Sequence, residues 1–249
     1  IDNFTNVVGN YTTGSSVFFS TKQLPIITGE HLYVTDSTYL YHFNTSNITT
    51  YIERINLGGS VYHPFTLDNG FIYVADNSNC RIQKFTSNGA FVSAWGNYGS
   101  GEGEFVEPAG LAFDQYRYIY ITDTGNHRIQ KFTPEGNYLI QWGGEGESAG
   151  KFVEPFDIAV DNYGFAYIAD FGNNRIQKFT TDGSYLTHWG SSGIADGQFR
   201  GPMGISVDQF GSVYVTDTFN QRIQKFTSDG TSLTKWGTES NAEELRYPT

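Results

Sequence analysis

Apolar positions along this chain come in short bursts of four to six residues, cut by Gly, Asn and Asp. One stretch shows the rhythm. The segments "FDIAVD", "FAYIAD", "RIQKFT" and "YLTHWG" follow one another, separated by Asn162-Tyr163-Gly164, Phe171-Gly172-Asn173-Asn174 and Thr181-Asp182-Gly183. No apolar period of 3.6 residues is sustained, so long amphipathic helices are not expected. Gly or Asn in such turns supplies the positive φ that a tight hairpin needs. Four short strands joined this way form an antiparallel meander.

The meander repeats. The pentapeptide "RIQKF" occurs at Arg81–Phe85 and returns at Arg128–Phe132, Arg175–Phe179 and Arg222–Phe226, each interval being 47 residues. The same step links Asp76, Asp123, Asp170 and Asp217, then Trp95, Trp142, Trp189 and Trp236. It also links Gly89, Gly136, Gly183 and Gly230, and Pro108, Pro155 and Pro202. Segments such as "IAV" and "YI" are apolar on both sides of a strand, so each sheet needs cover on both faces. Stacking the sheets radially about an axis provides that cover and leaves only short protected edges.

The expected fold is all-β, a β-propeller of four-stranded antiparallel blades with RIQKF as the third strand of each. Its Ile and Phe should pack between blades. Its Arg should pair with the Asp ending the second strand, within a blade or across to the next, which couples Asp76 to Arg81, Asp123 to Arg128, Asp170 to Arg175 and Asp217 to Arg222. The Trp closing the fourth strand is read as a large core residue near the outer rim.

The pattern Pro-x-x-Ile-x-Val-Asp…Tyr-Val-x-Asp-x-x-Asn-x-Arg-Ile-Gln-Lys-Phe-x-x-x-Gly resembles the NHL repeat. "TDTGNHRIQKFTPEG" at Thr122–Gly136 carries it most fully, with Asn126-His127-Arg128 at the position that names the repeat. The resemblance covers roughly residues 61–237 and implies a propeller, commonly of six blades. Five NHL-type blades are recognisable, at about 24–57, 61–96, 108–143, 155–190 and 202–237, in a five- or six-fold ring. The first is divergent: "HLYVTDSTYLYHF" at His31–Phe43 keeps Asp36, puts Tyr39 where the Arg would fall, and has no Trp after it. Residues 1–23 are read as extra N-terminal strands or a blade-closing segment. Residues 238–249 are read as the start of a further blade or a closing segment, because the apolar-x-x-Pro signature of Val61–Pro64, Phe105–Pro108, Phe152–Pro155 and Phe199–Pro202 recurs at Leu245–Pro248. A start at Ile1 rather than Met suggests a processed or trimmed chain.

Charge then narrows the partners. The net charge of −11 disfavours nucleic acid and anionic membrane surfaces. No apolar run reaches 18 residues, so direct membrane insertion is not expected. The single cysteine, Cys80, excludes an internal disulfide framework and a thiolate metal cluster. It takes the turn position held elsewhere by His127, Asn174 and Gln221, where a partly exposed thiol and a tolerated turn residue are both open readings.

Candidate chemistry is sparse. Asp68, Asp114, Asp161 and Asp208 end the innermost strands, where they fit either a ring of oxygens for a hard cation or Asx-type turns. Turn sequences such as Asp-Asn-Tyr-Gly and Asp-Gln-Phe-Gly favour the second. His31, His42, His63, His127 and His188 fall at different places in their units and show no ligand spacing. No nucleophile elbow, phosphate loop or HExxH is present. No catalytic residue, metal or cofactor is therefore assigned, and a metal-dependent lyase or lactonase rests on fold analogy alone.

The loops "GNYGSGEGEFVE", "GGEGESAGKFVE" and "GTESNAEEL" are acidic and differ from blade to blade on a constant scaffold, which fits either a binding surface or a simply solvated face. Asn79, Tyr98, Asn126, His127, Asn173, Asn174, Asn220 and Gln221 are the candidate ligand-binding residues of that face. Glycosylation acceptor triplets begin at Asn3, Asn10, Asn44 and Asn47, which suggests an extracellular or cell-surface setting. The leading expectation is a non-catalytic surface scaffold for a protein or glycan. The alternative is a structural protomer of a filament or coat, a homo-oligomer joined through an incomplete terminal blade.

Overall fold

The computed structural model describes residues 26–28, 31–35, 39–44, 47–56 and 65–237. They form five four-stranded antiparallel sheets, each a simple meander in chain order. Blade I holds β1 (Ile26–Thr28), β2 (His31–Thr35), β3 (Tyr39–Asn44) and β4 (Asn47–Asn56). Blade II holds β5 (Phe65–Asp68), β6 (Phe71–Asp76), β7 (Arg81–Thr86) and β8 (Phe91–Trp95). Blade III holds β9 (Pro108–Phe113), β10 (Ile119–Asp123), β11 (Arg128–Phe132) and β12 (Tyr138–Gly143). Blade IV holds β13 (Pro155–Val160), β14 (Phe165–Asp170), β15 (Arg175–Thr180) and β16 (Tyr185–Trp189). Blade V holds β17 (Pro202–Val207), β18 (Val213–Asp217), β19 (Arg222–Phe226) and β20 (Ser232–Trp236). Segments 1–23 and 238–249, Asn3, Asn10, Asp36, His63, Val61–Pro64 and Leu245–Pro248 lie outside the described residues. Asn44 ends β3 and Asn47 opens β4.

The core lies between blades. A strand alternates its side chains, so RIQKF serves two interfaces at once. In blade III, Ile129 packs with Tyr120, Phe152, Ile158 and Phe179 against blade IV. Phe132, three residues on, packs with Tyr73, Ile82, Phe105 and Ile121 against blade II. The interface of blades IV and V repeats this arrangement with Tyr167, Ile176, Phe199, Val215 and Phe226. Lys131 sits above the rings of Tyr118 and Tyr120, 4.5 and 4.9 Å from their centroids, and donates to the Thr181 carbonyl of blade IV at 3.1 Å. Lys178 does the same over Phe165 and Tyr167, donating to Ser228 of blade V at 2.9 Å. Burial lowers the pKa of both ammonium groups, against the pull of nearby carboxylates.

The Trp and Gly columns explain one another. In blades III, IV and V the hairpin between the third and fourth strands turns on a glycine of positive φ, and the indole of the preceding blade lies over it. A Cβ on Gly136 would stand 2.7 Å from Trp95 Cδ2, and one on Gly183 would stand 3.0 Å from Trp142 Cδ2. Trp95, Trp142 and Trp189 are thereby half-buried, while Trp236 of blade V is exposed.

Candidate binding face

In each blade the first strand runs away from the interblade loop and the second runs back. The turns between second and third strands therefore share one end of the propeller with the loops 96–107, 144–154 and 190–201. The hairpins lie at the other end.

A buried carboxylate organises each loop. Asp123 takes the Val106 N–H on Oδ1 at 2.8 Å, Asn126 Nδ2 on both oxygens, and Arg128 Nε and Gln130 Nε2 on Oδ2 at 2.7 and 3.0 Å. The Asp and Arg thus meet within one blade. The same contact is 2.8 Å for Asp76–Arg81 and 2.7 Å for both Asp170–Arg175 and Asp217–Arg222. Beyond its Asp, Arg128 spends both terminal nitrogens on the loop: Nη1 donates to Ser100 O, and Nη2 to Gly101 O and Glu104 O, at 2.7 to 2.9 Å. Asn126 adds Gly99 O at 2.8 Å, and Gln130 donates to Glu104 O at 2.7 Å while accepting from Gly103 N at 3.0 Å. A planar guanidinium suits this fan of fixed acceptors in a way an ammonium does not.

The frame is copied. Arg175 reaches Glu147, Ser148 and Lys151 carbonyls, and Arg222 reaches Ile194, Ala195 and Gln198. Asn173 and Asn220 donate to Gly146 O and Gly193 O at 3.0 and 2.9 Å. Asn79 donates to Asp76 at 2.8 Å. These asparagines therefore use their amide nitrogens inside the frame.

The neighbouring column anchors the outgoing loop. Cys80, His127, Asn174 and Gln221 all adopt left-handed backbone, φ 52 to 54°. His127 Nδ1 accepts from Glu154 N at 3.0 Å, and Asn174 Oδ1 accepts from Gly201 N at 2.9 Å. The first contact requires the Nε2–H tautomer of His127. The Cys80 thiol is buried, 3.6 Å from Asn77 O, and Gln221 is half-buried. Tyr98, by contrast, projects from its loop, 75% exposed.

Because only backbone carbonyls and N–H groups are held, side chains between them are free to differ. Tyr98, Glu145 and Ser192 occupy one equivalent place; Ser100, Glu147 and Ile194 another; Glu102, Ala149 and Asp196 a third, and all nine are exposed. Lys235 pairs with Asp196 at the rim.

At the opposite end, Asp114, Asp161 and Asp208 form Asx turns. Asp161 Oδ1 accepts from Tyr163 N and Phe165 N at 2.9 Å each, and Oδ2 accepts from the Tyr167 hydroxyl at 2.9 Å. Asp114 and Asp208 repeat this with Tyr120 and Tyr214. Among the described residues no three His, Cys, Asp or Glu side chains converge as a metal site would require. His42 is buried in β3, His188 bonds Tyr185 at 2.6 Å, and His127 lies on the loop face.

A 6-bladed beta-propeller family matches residues 63–133, and the NHL repeat matches residues 152–179 and 199–226. The chain thus carries NHL repeats on propeller blades. No curated protein matches it. Among solved structures it is similar to a streptogramin B lyase, with 17% identity and a TM-score of 0.65 over 84% of this chain and 66% of that one. A virginiamycin B lyase from Staphylococcus aureus gives 15% identity and 0.61, covering 90% of this chain and 72% of the other. A nidogen/laminin complex gives 16% and 0.63, covering 83% and 75%. The chain spans about two thirds of the streptogramin B lyase. At these identities the likeness is one of fold.

Proposed function

We propose that this NHL-repeat propeller is a non-catalytic binding scaffold that offers its loop face to a protein partner, in an extracellular or cell-surface setting. One observation carries the reading: the Asp–Asn–Arg–Gln frame holds three loops on one backbone path while their outward side chains change from blade to blade. A rigid backbone with interchangeable aromatic, aliphatic and acidic side chains is what selective recognition needs, since the loops lose little freedom on binding. The nidogen/laminin complex, a protein assembly that uses this fold, is consistent with it. The surface setting rests on the acceptor triplets at Asn3, Asn10, Asn44 and Asn47.

The test is an array of extracellular proteins and glycans probed with the intact chain and with a Tyr98→Ala, Glu147→Ala, Ile194→Ala variant. A protein bound by the first and lost by the second supports the reading. No ligand from a folded chain, or binding indifferent to the variant, overturns it.

A second reading, self-assembly, draws on the outer strands. β8, β12, β16 and β20 each form the edge of a sheet and expose Val92, Leu139, Leu186 and Leu233 at equivalent positions. Light scattering showing a strict monomer at high concentration would end it.

A further inference from the structure

The hairpins between the first and second strands of blades III, IV and V each end in an aromatic residue that packs little. Tyr116, Tyr163 and Phe210 are 70, 67 and 79% exposed. Each follows an exposed side-chain amide, Gln115, Asn162 or Gln209. The turn does not need the rings. It is closed by the backbone N–H of the aromatic residue, which donates to the Asp carboxylate at 2.9 Å in all three blades. Blade II turns between Asp68 and Phe71 on Asn69-Gly70 alone, with no aromatic at its tip.

The mounts are rigid. The second oxygen of each Asp takes the hydroxyl of Tyr120, Tyr167 or Tyr214 at 2.8, 2.9 and 3.1 Å, which ties the tip to its sheet. Tyr163 also extends toward the next hairpin: a Cβ on Gly211 would lie 4.0 Å from its Cε2. The Asp charges are turned inward to their own turns. With the Asn69 amide oriented to accept, Arg117 Nη1 is directed to it at 2.8 Å. What faces outward is a row of three ring-and-amide pairs on successive blades.

We infer that this row binds an uncharged polysaccharide. An aromatic face stacks on the C–H face of a pyranose ring, and a side-chain amide offers both a donor and an acceptor to neighbouring hydroxyls. Three copies of one pair suit a ligand that itself repeats, because successive contacts on one chain reinforce each other. An anionic polymer is disfavoured by the net charge of −11. The row lies at the opposite end from the loops, so this site stands whether or not the loop-face reading does.

The experiment titrates the intact chain with laminarin, galactomannan and xyloglucan by calorimetry, alongside a polyproline peptide. At least one of the polysaccharides is expected to bind. The Tyr116→Ala, Tyr163→Ala, Phe210→Ala variant should weaken it by roughly tenfold or more, as expected when linked contacts are lost together. Phe210→Tyr, which keeps the ring, should bind like the parent, and Tyr98→Ala on the loop face should change nothing. Thermal midpoints within a few degrees of the parent keep folding out of the comparison. Failure of all three polysaccharides, binding that survives the triple variant, or selective binding of the peptide overturns the assignment.

Discussion

Trp189 and Gly230, on neighbouring blades, stand so close that a Cβ placed on Gly230 would lie 2.5 Å from the indole Cδ2. Gly230 also has φ of +91°, so two separate costs fall on any side chain there. Gly164, at φ +86°, bears only the backbone cost, its nearest neighbour being Thr181 Oγ1 at 3.8 Å. Gly164→Ala should cost about 1–2 kcal/mol from backbone strain. Gly230→Ala should exceed it by a further 1–3 kcal/mol or so from overpacking. Urea unfolding of the two variants checks the difference, and equal midpoints would remove the indole contact from the account.

Arg128 bonds through three nitrogens, Nε to Asp123 and both terminal ones to the loop, so Arg128→Lys keeps the charge and loses the geometry. A loss on the order of 2 kcal/mol is expected, because charge-assisted hydrogen bonds in a buried fork are not replaced by a point charge. The signature is local as well as global. Amides of residues 99–106 should exchange with solvent faster than those of 146–153, which Arg175 still holds.

The propeller was legible because repetition turns columns into contacts. Trp142 and Gly183 keep the same step, and the structure shows why: one lies on the other across a blade boundary. The candidate site was less so. Asn126, Asn173 and Asn220 fall in turns on a loop-rich face, where a ligand role is the natural expectation, yet a turn position cannot reveal that an amide is held by Asp123 and a carbonyl 27 residues back. The available signal was that this asparagine never changes between repeats, while Tyr98, Glu145 and Ser192 do. The hairpin aromatics are hidden in the sequence for a different reason. Asp68 precedes Asp114 by 46 residues rather than 47, so the shorter hairpin of blade II hides the Tyr116, Tyr163, Phe210 column beside the Asp.

Tyr167 tests the Asx turn from the sheet side. Its hydroxyl donates to Asp161 Oδ2 at 2.9 Å, and burial, with Asp161 beside it, raises its pKa well above the ordinary phenol range. Tyr167→Phe leaves the packing and removes the donor, which should cost about 1–2 kcal/mol as a buried acceptor loses one partner. The fluorescence of Trp189, whose ring centre lies 6.3 Å from that of Tyr167, should stay native-like before the transition. A midpoint identical to the parent would show the bond contributes nothing.

Asp157 gives the fold a pH dependence of unusual sign. It lies on β13, the innermost strand of blade IV, where Oδ1 accepts from Ile158 N at 2.8 Å and Oδ2 accepts from Ile205 N of blade V at 2.9 Å. A Cβ on Gly110 would stand 2.5 Å from Oδ1, so blade III closes over it from the other side. Among the described residues no cation is paired with it, and burial, only partly offset by the two backbone donors, pushes its carboxyl up to about 6. Unfolded, the group titrates near 3.9. Between those values the folded chain holds the proton more firmly than the unfolded one, so stability falls as pH rises from about 4 to 6 and the loss is complete above that. Two pK units correspond to on the order of 2–3 kcal/mol. Asp157→Asn removes the titration while leaving every other group in place. The stability of the variant relative to the parent should therefore rise across that pH range and stay level from 7 to 8. Denaturant unfolding at pH 4.5, 5.5, 6.5 and 7.5 measures it, and a difference between the two that does not vary with pH would show that Asp157 titrates alike in the folded and unfolded chains.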